Sequence, residues 1–257
     1  MDLGLNGRIA VVPGATAGLG AAVVRALADE GAHVAFGGRR AELAEQQAAD
    51  LPSAVGVGVD ITDPDGPRTL VDAATERFGP VDVLVLNGGG PAPSTAAEMG
   101  AADARDAVRL LVEAHIRLVE AVLPGMRERG WGRIVAIGSS GIQQPIDGLA
   151  ASNLGRGALA GYLKTLAAEV AAEGVTVNMV LPGRIETDRL RTVNSGAAAR
   201  RGISEQQMRE ESLADIPAGR FGTPEEFAAA VAFLAGTQAS YITGEQLRCD
   251  GGLVRAH

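Results

Sequence analysis

Short apolar runs alternate with longer amphipathic stretches along the whole chain. Strand-like runs fall at 8–12, 33–36, 54–59, 82–86, 133–138, 175–181 and 246–249. Helical patterns lie between them, at about 18–30, 41–50, 64–78, 103–129, 150–173 and 224–235. Ile9 to Val12 has no polar position, the mark of a strand covered on both faces. Strands alternating with helices predict right-handed crossovers, a doubly wound parallel sheet and helices on both sides. At 257 residues the chain is long enough for one large core, so a single α/β domain spanning 1–257 is expected. The segment 184–215 shows neither period. It is rich in Arg, Glu and Ala and stands between a strand end and a helix, so it reads as an irregular lid over a ligand.

In such sheets ligands bind at the carboxyl ends of the strands, and those ends carry the informative residues. After the first strand come Gly14, Gly18 and Gly20, spaced G-x-x-x-G-x-G, and then a helical pattern. A strand, a glycine turn and a helix make a cradle for a pyrophosphate, with free N–H groups of the helix start pointing at it. After the second strand stand Gly37, Gly38, Arg39 and Arg40. A fold that holds a ribose 2′-hydroxyl usually has an acid there. Glycine and paired guanidinium groups instead suit a 2′-phosphate, so NADP(H) is favoured over NAD(H). Asp60 ends the third strand, placed to accept from an adenine amino group or to support the next helix start. Asn87, Gly88, Gly89 and Gly90 end the fourth and permit close approach to a ribose or nicotinamide. The fifth ends in Gly138, Ser139 and Ser140. The sixth ends in Pro182-Gly183-Arg184-Ile185-Glu186-Thr187, which would turn the chain beneath a nicotinamide and offer Thr187 to its carboxamide.

Composition narrows the class. Net charge is −8 with no basic patch, which argues against nucleic acid. No apolar run is long enough for a membrane span, and the first residues lack a signal-peptide pattern. A single cysteine, Cys249, fits the cytoplasm. Lys164 is the one lysine among 23 basic residues.

Taken together these stretches resemble the short-chain dehydrogenase/reductase family, in its 3-oxoacyl-carrier-protein-reductase-like branch. PGATAGLG is similar to the family's cofactor turn, LNGGG to its Asn-Asn-Ala-Gly stretch, and GRIVAIGS to the strand that carries the catalytic serine. GVTVNMVLPGRIETDRL and GRFGTPEEFAAAVAFLAGTQASYITGEQLRCDGG resemble its C-terminal third. The resemblance implies a Rossmann-type fold, a nicotinamide dinucleotide and a homo-oligomer, dimer or tetramer, paired through the helices at 103–129 and 150–173. It implies cofactor contacts at Gly14, Thr16, Ala17, Gly18, Leu19 and Gly20, at Arg39 and Arg40, at Asp60 and Ile61, and at Asn87, Gly88 and Gly89. Arg156, Pro182, Gly183, Ile185 and Thr187 complete that set.

The departures concern the chemistry. The family's catalytic set is Asn, Ser, Tyr and Lys. Ser139 matches the serine, but Ser152 stands at the tyrosine position, Arg156 at the lysine position and Leu111 at the asparagine position. Tyr162 is followed four residues on by Leu166 and Tyr241 by Glu245, so no Tyr-x-x-x-Lys exists. An aliphatic hydroxyl is a far weaker acid than a phenol, and an arginine stays protonated and relays no proton. The expected catalytic set is therefore Ser139, Ser152 and Arg156, with Ser140 or a water as other proton donors, Asn153 as an orienting group and His115 as a remote candidate. Three functions compete. The first is an NADP(H)-dependent oxidoreductase interconverting a ketone, such as a 3-oxoacyl thioester on a carrier, and a secondary alcohol. The second is a dinucleotide-binding sensor or scaffold without turnover. The third is a non-redox lyase, isomerase or dehalogenase-like enzyme using the Ser–Arg pair.

Overall fold

The computed structural model describes residues 1–255. All seven strands are present and parallel: β1 (Ile9–Val12), β2 (His33–Gly38), β3 (Ala54–Gly58), β4 (Val83–Leu86), β5 (Gly132–Ile137), β6 (Val175–Pro182) and β7 (Gln246–Cys249). They form one sheet in the order β3-β2-β1-β4-β5-β6-β7. The order reverses between β1 and β4, which opens a crevice at their carboxyl ends, the expected place for a ligand in a Rossmann-type sheet.

Strand alternation builds two cores. Val11, Leu84, Leu86, Ile134 and Ala136 face one way, against α3 (Gly66–Phe78), α5 (Ala114–Glu128) and α6 (Ala150–Val170). Ala10, Val12, Val83, Val85, Val135 and Ile137 face the other, against α1 (Gly18–Asp29) and α9 (Pro224–Ala235). With both faces covered, β1 and β4 have no position for a polar side chain, which is why they read as unbroken apolar runs. Helix α2 (Ala41–Ala49) follows β2. Among the described residues no helix is long and apolar enough to cross a membrane.

Two stretches differ from the expectation. The pattern over 103–129 is not one helix. It divides into α4 (Ala101–Val108), a five-residue π turn at Arg109–Glu113, and α5. A π turn widens the helix by one residue and often marks a functional site. Here Leu111 lies in it, buried against Gly155 of α6, where a Cβ would come within 2.8 Å of Leu111 Cδ1. The segment 184–215 is not irregular either. It holds α7 (Asp188–Arg201) and α8 (Glu205–Ala214). Thr187 Oγ1 accepts from Leu190 N at 3.2 Å and Ser204 Oγ from Gln207 N at 3.1 Å, so both helices begin at side-chain caps. Gly202, at φ 66°, ends α7 in the left-handed conformation. The apolar residues of α7 gather on no one face, so period alone could not reveal it.

Candidate active site

The glycine turn is built and braced. Pro13, lacking an N–H, directly follows the last residue of β1, where no ladder bond is lost. Gly14 and Gly18 both have positive φ, 61° and 59°, the conformation that a side chain disfavours. A Cβ at Gly18 would lie 3.9 Å from Thr187 Cγ2, so the turn and the cap of α7 stand beside one another. Asn87 braces the turn from β4: its Nδ2 donates to Pro13 O and Gly14 O, each at 2.9 Å. The Asn87 amide thus acts on the turn itself. Gly20 lies directly over it, where a Cβ would come within 2.5 Å of Asn87 Nδ2.

The two arginines after β2 have different surroundings. Arg40 Nη2 donates to Thr16 Oγ1 at 2.9 Å and Thr16 O at 3.2 Å, and Gln47 Nε2 reaches the same carbonyl at 3.4 Å. Arg39 is exposed, with no hydrogen bond or ion pair among the described residues, and its charge acts on Asp60. Asp60 does not cap α3. Its Oδ1 accepts from Thr62 N at 2.9 Å and Thr62 Oγ1 at 2.8 Å. The Thr62 backbone N–H, more than any other contact, holds its carboxyl below the usual range. Ile61, beside it, is buried against Gly88.

At the end of β5, Ser139 Oγ accepts from Gly141 N at 3.0 Å, which orients the hydroxyl and leaves its proton free. Helix α6 brings Ser152 and Arg156 to the same place, one turn apart on one face. Arg156 Nη1 donates to Ile137 O at 2.8 Å and Gly138 O at 3.1 Å, and Nε donates to Ser152 Oγ at 3.3 Å. The guanidinium therefore ties α6 to the strand that carries Ser139. Burial first, and Arg189 second, push Arg156 down to about 10, so it remains charged at neutral pH. Arg156 thus joins Ser152 to the two carbonyls that precede Ser139, and among the described residues no phenol bonds to this group. Tyr162 packs on the core and Tyr241 is fully exposed. Asn153 does a different job from the expected one. Its Oδ1 accepts from Ile146 N at 3.4 Å and its Nδ2 donates to Ile146 O at 3.0 Å, so it pins the loop after Ser139.

His115 follows the π turn and is 3% exposed, with Nδ1 lacking a hydrogen-bond partner among the described residues. Its ring lies against Gly88, where a Cβ would be 3.6 Å from Cε1. Burial first, then the Arg156 charge, hold it down to about 4, against an ordinary 6.5. Between those values the unfolded chain binds a proton that the folded chain does not. Stability therefore rises with pH across this window, is complete above about 6.5, and falls as pH drops toward 4. Urea unfolding from about pH 7 to about pH 5 is expected to cost wild type about 2 kcal/mol more than His115→Leu. Equal slopes would mean that folding leaves the His115 pKa unchanged.

At the end of β6, Gly183 packs on Asp250, where a Cβ would meet Asp250 Cα at 2.6 Å. Ile185 is buried and bridges Gly222. Pro182 closes the strand, and the Thr187 hydroxyl is used as the cap of α7. The two ends of the sheet differ in charge. At the amino end, Asp82 lies 3.7 Å from Arg8 and 3.6 Å from Arg129. At the carboxyl end Arg39, Arg156, Arg189 and Arg200 have no carboxylate partner among the described residues. Nothing in the local sequence pattern separates Arg189 and Arg200 from the other arginines of the lid.

Comparison with known proteins adds to this geometry. Residues 14–254 match the family model described as enoyl-(acyl carrier protein) reductase. The chain is 36% identical over 253 residues to the 3-oxoacyl-(acyl-carrier-protein) reductase of Vibrio cholerae, covering 98% of this chain and 99% of that one. It is 37% identical over 253 residues to the Escherichia coli enzyme of the same name, with the same coverage. Among solved structures it is similar to the L-sorbose reductase of Gluconobacter frateurii complexed with NADPH and L-sorbose, at TM-score 0.92 and 31% identity over 100% of both chains. It is also similar to an NADPH-dependent reductase involved in bacilysin biosynthesis, at TM-score 0.92 and 28% identity, covering 97% of this chain and 99% of that one.

Proposed function

We propose that this chain, which belongs to the short-chain dehydrogenase/reductase family, is an NADP(H)-dependent oxidoreductase that interconverts a ketone and a secondary alcohol with an atypical catalytic set. The observation that carries the reading is the Gly14–Gly20 turn, held by Asn87 and set beside Thr187, because such a turn suits a dinucleotide pyrophosphate. When bound, the cofactor supplies hydride to the carbonyl carbon. Arg39, free of other bonds, takes the 2′-phosphate, and Arg40 shapes the pocket through Thr16. Ser139 and Ser152 donate to the substrate carbonyl oxygen. Arg156 supplies fixed positive charge beside them and lowers the cost of negative charge on that oxygen. Ser152, already accepting from Arg156, keeps its own proton to give, and water replaces it because arginine does not relay.

Two steps test the reading. NADPH and NADH are titrated by fluorescence, and the NADPH complex is then mixed with ketones and 3-oxoacyl thioesters while reduced nicotinamide is followed by absorbance. The reading predicts preferential NADPH binding and its consumption by at least one carbonyl. Failure of either dinucleotide to bind would end it. Binding without consumption would favour the sensor, whose specific support is the missing phenol. Arg39→Asp is expected to lower the NADPH/NADH affinity ratio roughly 10–100-fold, the value of a charge-assisted pair. An unchanged ratio would move the phosphate contact elsewhere. A groove of about 420 Å³, lined by Val108, Val112, Glu113, Ile116, Arg117 and Glu120, lies on the helices through which the family resemblance implies a dimer or tetramer.

A further inference from the structure

The lid sorts its arginines into two sets. Arg191 pairs with Asp188, Arg201 with Glu211 at 2.6 Å and Arg209 with Glu186 at 2.8 Å. Arg189 and Arg200 pair with no carboxylate among the described residues. They stand eleven residues apart on α7, about three turns, and so share a face. Both side chains are exposed, and that face lies along the loops after β4 and β5. Arg189 Nη2 donates to Pro91 O at 3.0 Å and lies 3.0 Å from a Cβ placed on Gly90, in the loop after β4. Arg200 Nη2 lies 3.1 Å from a Cβ placed on Gly148, in the loop after β5. The two loops are joined: Ser94 N donates to Gly148 O at 2.9 Å and Ala150 N to Ser94 O at 3.0 Å. The charge of Arg189 reaches Arg156. Ser94 Oγ is buried there without a partner among the described residues.

Two exposed guanidinium groups without a carboxylate, one of them acting on Arg156, leave positive charge at the edge of the site that an anion would neutralise. We propose that the cleft takes a small carbonyl substrate bearing a carboxylate, an oxo acid held by Arg189 and Arg200 while its carbonyl lies at Ser139 and Ser152. This deepens the reductase reading and rests on it for the reaction. The balance is simple: hydride brings two electrons to the carbonyl carbon, a proton completes the alcohol, and the carboxylate is unchanged. A small acid fits better than an acidic carrier protein. Arg191, Arg201 and Arg209 are neutralised and the chain carries −8, so beyond Arg189 and Arg200 these lid arginines offer no further basic surface to such a carrier.

The test uses the NADP⁺ and NADPH complexes of wild type, Arg189→Ala and Arg200→Ala. Each is given 2-, 3- and 4-oxo carboxylates with their methyl esters and thioesters. Binding is read by thermal shift and calorimetry, reduction by absorbance. Wild type is expected to favour at least one acid over its ester roughly 10–100-fold, a preference that shrinks to a few-fold in either variant. NADPH affinity is expected to stay within about twofold of wild type, the size of change expected where no charged contact is lost, and ester reduction to fall less than acid reduction. Preference for the ester or thioester, or an acid preference untouched by both variants, would overturn the proposal. So would a tenfold loss of NADPH affinity in Arg189→Ala with the acid-to-ester ratio unchanged, since Arg189 would then serve the cofactor phosphates. If the acids bind and stabilise wild type but not the variants, and nothing is reduced, the reductase reading falls while the anion site stands.

Discussion

Arg156→Met is expected to lower kcat by roughly 10²–10³-fold, the usual loss when a fixed positive donor is removed from a reacting carbonyl. Methionine keeps much of the length and the apolar stem but removes every hydrogen bond of the guanidinium. Ile137 O and Gly138 O lose their donor, Ser152 Oγ loses its partner, and the cleft loses a charge. Two unsatisfied carbonyls also cost about 1–3 kcal/mol each in stability, less where water reaches them. Catalysis and folding can be separated. Arg156→Lys restores charge but not the fork that spans the end of β5 and Ser152, so it should recover part of kcat. Met and Lys variants melting alike but differing in kcat would place the effect in catalysis. Wild-type turnover in Arg156→Met would remove Arg156 from the mechanism.

Gly20→Ala is expected to abolish tight dinucleotide binding and to destabilise the fold. The new Cβ would lie 2.5 Å from Asn87 Nδ2 and 2.9 Å from both Ala15 Cα and Gly14 O. Only the Asn87 amide can retreat. Retreat breaks its bonds to Pro13 O and Gly14 O, which hold the turn in shape. Overpacking of this kind costs about 1–3 kcal/mol, and a chain of this size loses about 2–4 °C for each. NADPH affinity should fall at least roughly tenfold, because the cradle N–H groups lose their alignment. Gly89→Ala is the control: its Cβ would meet nothing within 4 Å, so the melting temperature should not move. A Gly20→Ala protein that melts and binds as wild type does would show that the turn has slack the packing does not suggest.

The cofactor half of the site was legible in the sequence, and the substrate half was not. Gly14, Gly18 and Gly20 are local: a strand, a turn and a helix follow each other, and their spacing exposes the geometry. Ser139, Ser152 and Arg156 were found by position relative to motifs, and the fold brings them together. The roles of Asn87 and Asn153 were not visible. Asn87 acts on carbonyls 73 and 74 residues away, and Asn153 on a loop that only the fold lays beside α6. The lid was read as irregular because α7 and α8 owe their starts to capping hydroxyls rather than to an apolar stripe.

What the sequence determined by itself was the order and type of elements, the burial of the sheet on both faces, and the nucleotide turn. These follow from apolar period and from glycine, which act between near neighbours in the chain. The tertiary structure alone decided where α4 opens into a π turn around Leu111, and which lid arginines are neutralised and which lie against the loops after β4 and β5. Both depend on side chains that meet from distant segments: Leu111 against Gly155, Arg201 against Glu211, Arg189 against the loop at Gly90. A guanidinium is the same in every line of sequence, and only its neighbours in space determine whether it is a paired surface charge or a hand held out to a substrate.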